Sequence, residues 1–108
     1  MSQKILQVNF QFSVSPSEYE QAITPAANPI ANTPGLRWKV WLMNDAAREA
    51  GGIYLFDDEA SVQAFLGGPI VAAVKSNPAL TNMSAKLFDV MEDLTVITHG
   101  PMREGSRV

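Results

Sequence analysis

From Lys4 to Phe12 the chain alternates, with Leu6, Val8, Phe10 and Phe12 on one side and Gln7, Asn9 and Gln11 on the other. A period of two marks a strand with one buried face. The pattern changes at Ser15-Pro16-Ser17-Glu18. Ser15 can cap, Pro16 suits the first helical position and Glu18 stands where a capping box needs it, which predicts a helix start. Pro25 and Pro29 each remove a backbone donor and crowd the preceding turn, so this helix is expected to kink or break between Thr24 and Asn28 and to end before Pro34-Gly35. Leu36 to Met43 reads as a second strand, with Leu36, Trp38, Val40 and Leu42 facing one way and Arg37, Lys39, Trp41 and Met43 the other. Asn44 to Ala50 is a hairpin connection, and Gly51-Gly52 leads into a third strand, Ile53 to Phe56. Asp57-Asp58-Glu59 opens a second helix with acidic residues at its positive end. Val62, Phe65 and Leu66 form its inward stripe, Gly67-Gly68-Pro69 interrupts it, and Ile70 to Ser76 resumes before Asn77-Pro78. Met83 to Met91 alternates again as a fourth strand.

The order βαββαβ is the ferredoxin-like arrangement, an α+β fold in which two helices cover one face of a four-stranded antiparallel sheet. On all four strands both parities carry large apolar residues, so the uncovered face needs a cover of its own. A second copy of the same sheet supplies it most simply, because a twofold axis makes one self-complementary patch serve twice. A homodimer is therefore expected. Leu94, Val96 and Ile97 are spaced for an arm lying on that partner, and Gly100 to Val108 reads as a flexible tail.

Composition narrows the chemistry. With 108 residues, 46% apolar and 18% charged, the chain is one domain, residues 1–108. It contains no cysteine, which excludes disulfides, thiolate metal sites and a thiol nucleophile. Met1 to Lys4 lacks the basic and then continuously apolar run of a secretory signal, and a cytoplasmic location is expected. Apolar runs are broken by Gly, Pro or Lys well short of the roughly 20 residues that cross a bilayer, so no membrane is expected among its partners. Eleven acidic against eight basic residues, with no basic cluster, also argues against nucleic acid.

Three further segments, Pro34-Gly35-Leu36-Arg37-Trp38-Lys39-Val40-Trp41, Glu49-Ala50-Gly51-Gly52-Ile53-Tyr54-Leu55-Phe56 and Lys86-Leu87-Phe88-Asp89-Val90, resemble the YdhR family of monooxygenases. The likeness runs from the first strand through the fourth and includes Pro25. It implies a dimeric α/β barrel, a fold shared with small monooxygenases that oxidise polycyclic phenols without metal, flavin or haem. It implies no cofactor, and it carries over no catalytic residue.

A cofactor-free oxygenase needs a dry pocket, a proton acceptor and groups that stabilise negative charge on an electron-rich substrate. Tyr54, Trp38 and Asn9 are the candidate catalytic residues, as hydrogen-bonding tip, pocket wall and polar anchor. Arg37 and Lys39, as cations, and Phe10 and Phe65, as apolar wall, are the candidates for holding a small aromatic or polyketide-like molecule. Strand parity sets Trp38 opposite Arg37 and Lys39, so only one of those sets faces a pocket under the helices. The commoner duty of Trp38 and Trp41 is packing, and that of Arg37, Lys39 and Lys86 a row of cross-strand charges. Tyr54 suits a structural hydrogen bond as well as a substrate contact. His99, the lone histidine, lies on the tail, and the second helix has no histidine with which to ligate haem iron. The consecutive carboxylates at Asp57 are capping groups rather than metal ligands, and Glu49-Ala50-Gly51-Gly52 precedes a strand, unlike a phosphate loop. Two other functions fit the same residues: a non-catalytic dimeric module that binds a small hydrophobic ligand, and an isomerase or cyclase on the same fold.

Overall fold

The structure, a computed structural model, describes residues 3–102. Four strands, β1 (Lys4–Phe12), β2 (Leu36–Asn44), β3 (Glu49–Phe56) and β4 (Leu80–Asp89), form one antiparallel sheet in the order β2-β3-β1-β4. Helices α1 (Pro16–Ile23), α2 (Ala27–Ala31), α3 (Glu59–Leu66) and α4 (Pro69–Ser76) connect them, and α5 (Glu92–Ile97) follows β4. The fold is α+β and ferredoxin-like.

The local signals act as their chemistry requires. The Ser15 side chain accepts from Glu18 N–H while the Glu18 carboxylate accepts from Ser15 N–H, closing the capping box. The prolines break the first helix into α1, a 3-10 turn over Thr24–Ala26, and α2. Asp58 caps α3 by accepting from Ser61 N–H, and Gly67-Gly68 separates α3 from α4, which restarts at Pro69.

Strand bounds differ from the sequence expectation. β3 begins at Glu49 and β4 at Leu80, because pairing with a central β1 orders residues whose own pattern is weak. On β2, Leu36 opposes Phe56 but Trp38 opposes Leu55, so Arg37 is an extra, bulged residue. The bulge corrects the expected grouping of Leu36 with Trp38. Leu36 packs with the helix-side core, whereas Trp38, Val40 and Leu42 turn to the other face.

Cross-strand rows define the two faces. Under the helices run Lys39–Tyr54–Leu6–Leu87 and Trp41–Gly52–Val8–Ala85. On the opposite face runs Trp38–Leu55–Ile5–Phe88. The core is the helix-side layer of Leu6, Val8, Phe10, Phe12, Tyr54 and Phe56 against Tyr19, Ile30, Val62, Phe65 and Val71.

The segment expected as an arm with a frayed end is a helix followed by an anchored stretch. Residues 90–101 pass from the β4 edge to the β2 edge, where Trp38 Nε1 donates to the Pro101 carbonyl at 2.7 Å. The expected tail beyond Met102 lies outside the described residues. No helix among the described residues is long and apolar enough to cross a membrane.

Candidate functional site

Helices and sheet do not close completely on each other. A cavity of about 360 Å³ lies between them, within the size range of small-molecule sites. Its sheet wall is Val8, Phe10, Lys39, Trp41, Gly51 and Tyr54, with Leu80 and Met83 from β4; its helix wall includes Tyr19, Ile23, Pro29, Ile30, Phe65, Ile70 and Val74. Among the described residues, Lys39 is the one charged residue lining it.

Lys39 reaches the cavity because of two neighbours. The bulge at Arg37 sets it opposite Tyr54 on the helix side. Gly52 leaves the strip of sheet on which its stem lies: a Cβ at Gly52 would stand 2.4 Å from Lys39 Cε and 3.3 Å from Nζ. The amine rests 3.3 Å from the centre of the Trp41 ring and 4.6 Å from that of Tyr54. Burial in this apolar surround brings the Lys39 pKa down to about 7. The Trp41 face, worth about 0.5–2 kcal/mol to a cation, acts in the opposite direction and limits the fall. Tyr54 is buried against Phe56 and Phe65, and Tyr19 against Phe10 and Phe12. Burial raises both phenols above their ordinary pKa, Tyr54 further through the neighbouring Tyr19, so both stay protonated and able to donate. Among the described residues neither hydroxyl has a protein hydrogen-bond partner, and both tyrosines line the cavity.

Tyr54, Lys39, Phe10 and Phe65 thus converge on one cavity. Trp38 and Asn9 do not: both lie on the opposite face, Trp38 bonded to Pro101 and Asn9 accepting from Gln7 Nε2 at 2.9 Å. Arg37 is exposed and ion-paired with Asp57. Exposed His99 follows α5 and does not line the cavity. Among the described residues no cluster of three or more His, Asp or Glu is placed to hold a metal. Two cavity residues had no functional assignment from sequence. Trp41, 41% exposed, shares the parity of Lys39, and Tyr19 faces inward four residues before Ile23. Parity would have found Trp41 once the facing side was known; helical spacing alone marks Tyr19 as core.

Fold and cavity together define a ferredoxin-like domain with an apolar pocket of small-molecule size between helices and sheet. The chain belongs to the YdhR mono-oxygenase family: the family model described as "Putative mono-oxygenase ydhR" matches residues 5–101. No curated protein matches it. Among solved structures, it is similar to a protein of unknown function from Nitrosomonas europaea, with 22% identity over 84% of this chain and 91% of that one and a TM-score of 0.72. SnoaB, a cofactor-independent oxygenase from Streptomyces nogalater, aligns with 20% identity over 83% and 94% of the two chains at a TM-score of 0.68. The haem-degrader MhuD from Mycobacterium tuberculosis aligns with 22% identity over 81% and 95% at 0.62. At these identities the structural likeness establishes the fold.

Proposed function

We propose that this protein is a cofactor-independent monooxygenase that oxidises a small aromatic or polyketide-like phenol inside the helix–sheet cavity, and that it works as a homodimer. The observation that carries the reading is an apolar cavity lined, among the described residues, by two tyrosines and a single lysine, in a chain of a mono-oxygenase family. Such a cavity favours a flat, neutral molecule on entry and leaves few groups to contact its oxygens.

The chemistry needs no external reductant. A phenolate is electron-rich enough to give one electron to dioxygen. Recombination of the two radicals forms a C–O bond at the activated carbon, and loss of water from the hydroperoxide leaves a quinone. In sum, phenol plus dioxygen gives quinone plus water: one oxygen atom enters the ring, the other leaves reduced, and all four electrons come from the substrate. The protein positions the ring between Phe10, Phe65 and Trp41, excludes water, and offers Tyr54 and Tyr19 as donors to the developing oxyanion.

The dimer reading is supported by the face away from the cavity. Val40 is 51% exposed and Phe88 47%, and Met91, Leu94, Val96 and Ile97 in and around α5 are exposed as well. Burying such residues against a second copy favours association.

Anthrone is a suitable probe, since its enol tautomer is a polycyclic phenol and its oxidation to anthraquinone follows the stoichiometry above. Oxygen uptake above the uncatalysed rate, equal to quinone formed and unaffected by a chelator, is the expected result. Saturable binding without oxygen uptake would replace the reading by that of a ligand-binding module.

A further inference from the structure

The function proposed above requires a proton acceptor, and neither tyrosine is one, because burial holds both in the acid form. Among the described residues the cavity is lined by one other ionisable group. We infer that the Lys39 side chain, laid across Gly52 and beneath the Trp41 ring, enters the site as a neutral amine and is the base that takes the hydroxyl proton from a neutral phenol or enol. The inference rests on the reading of this cavity as a phenol site and adds the group that activates the substrate and the ionisation state the substrate must have.

Geometry carries the argument. Among the described basic side chains, Lys4 and Arg37 are ion-paired with Asp89 and Asp57, whereas no carboxylate faces Lys39 from any element around the cavity. α1 contributes only Tyr19 as a titratable group and β3 only Tyr54, while β1, β4, α2, α3 and α4 contribute none. No carboxylate fixes a permanent charge on the amine, and burial lowers its affinity for a proton toward neutrality against the pull of the Trp41 face. A surface lysine avoids this cost by extending into water. Lys39 does not, because the missing side chain at Gly52 opens a strip of sheet along which its stem lies inward.

The step balances within the site. The substrate O–H bond breaks and its electron pair stays on oxygen as phenolate or enolate, while the proton joins the Nζ lone pair to give ammonium. Two neutral groups become an ion pair in an apolar surround, held by Coulomb attraction and by the tyrosine donors. Substrates that are cationic, or that lack an acidic hydroxyl, gain nothing from this exchange. The site therefore selects uncharged phenols and enols.

The experiment is binding of 2-naphthol under argon, which isolates proton transfer from oxidation. At about pH 8, Lys39 with a pKa of about 7 is neutral and a phenol of ordinary pKa about 10 is protonated. Naphtholate absorption then reports the transfer, and calorimetry in buffers of different ionisation enthalpy counts protons exchanged with solvent. The expected result is bound naphtholate with no proton released by the wild-type protein, neutral or no bound naphthol with Lys39→Met, and one proton released per naphtholate with Lys39→Arg. Release of one proton by the wild type would mean that Lys39 is a standing cation, and an undiminished naphtholate band in Lys39→Met would assign the proton elsewhere. Absence of naphtholate in the wild type would also overturn the inference. These outcomes are separable from the oxygenase reading, since naphtholate formation without oxidation of anthrone sinks only the latter, and oxidation without naphtholate sinks only the former.

Discussion

Three residues of the candidate site, Tyr54, Lys39 and Gly52, give separate expectations. Tyr54→Phe keeps the ring stacked on Phe56 and tilted against Phe65 and deletes only the hydroxyl. Loss of a charge-assisted hydrogen bond of about 1.5–3 kcal/mol is expected to slow anthrone turnover about ten- to a hundredfold with little change in melting temperature. A lowered melting point with unchanged turnover would instead make Tyr54 structural. Lys39 is read through pH. Its pKa in the folded state is below that of the unfolded chain, so between about 7 and the ordinary lysine value of about 10.4 the unfolded state binds more protons and stability rises with pH. The stability advantage of Lys39→Met over wild type in urea is therefore expected to shrink as pH rises through that window. An advantage independent of pH would contradict a buried amine. Gly52→Ala is expected to push the Lys39 stem off the sheet and to lower turnover as Lys39→Met does. That Tyr54 and Lys39 belong together was half legible in the sequence: parity placed Lys39 opposite to Trp38, but which of them faced the helices depended on a bulge.

At the scale of elements, the signals with local causes were the readable ones. The capping box at Ser15, the carboxylate cap at Asp58, the break between Pro25 and Pro29 and the Gly67-Gly68 interruption all depend on groups within four residues of one another. The extra residue at Arg37 and the early starts of β3 and β4 are set by partners on other strands, which periodicity along one strand does not contain. So too for the C-terminal stretch, where the apolar spacing was visible but the Trp38–Pro101 bond, 63 residues apart, was not. The caps carry their own pH dependence. Backbone donors at Ser15 and Ser61 hold the Glu18 and Asp58 carboxyls below their ordinary pKa, so their contribution is present above about pH 4 and is lost as pH falls through the depressed folded values. Ser15→Ala removes the acceptor of the Glu18 N–H and is expected to cost about 1 kcal/mol by denaturant unfolding, whereas Glu18→Ala, which removes the carboxylate that accepts from Ser15 N–H, is expected to cost stability at neutral pH and less in acid. An equal loss from Glu18→Ala at both pH values would remove Glu18 from the cap.

The two faces of one sheet differ across the whole molecule, with the cavity under the helices and exposed apolar residues such as Val40 and Phe88 on the other side. If that other face joins two copies, sedimentation at micromolar concentration will give a dimer and the melting temperature will rise with protein concentration. Phe88→Glu is expected to shift the equilibrium to monomer, while a wild-type monomer with a cooperative melt would contradict the assembly. The pairing of apolar residues on both strand parities made this face legible from sequence; the pocket under the helices was expected from the chemistry of an oxygenase and from no pattern along the chain, because an incomplete closure between helices and sheet has none. The central claim is that substrate electrons alone reduce dioxygen in that cavity. Its most direct test is oxidation of anthrone under isotopically labelled dioxygen, with mass analysis of the quinone and of the water formed. The account predicts one labelled oxygen atom in each product quinone and the other in water, with the incorporation rate lowered in Tyr54→Phe; unlabelled quinone, or labelling at the rate of the protein-free solution, would contradict it.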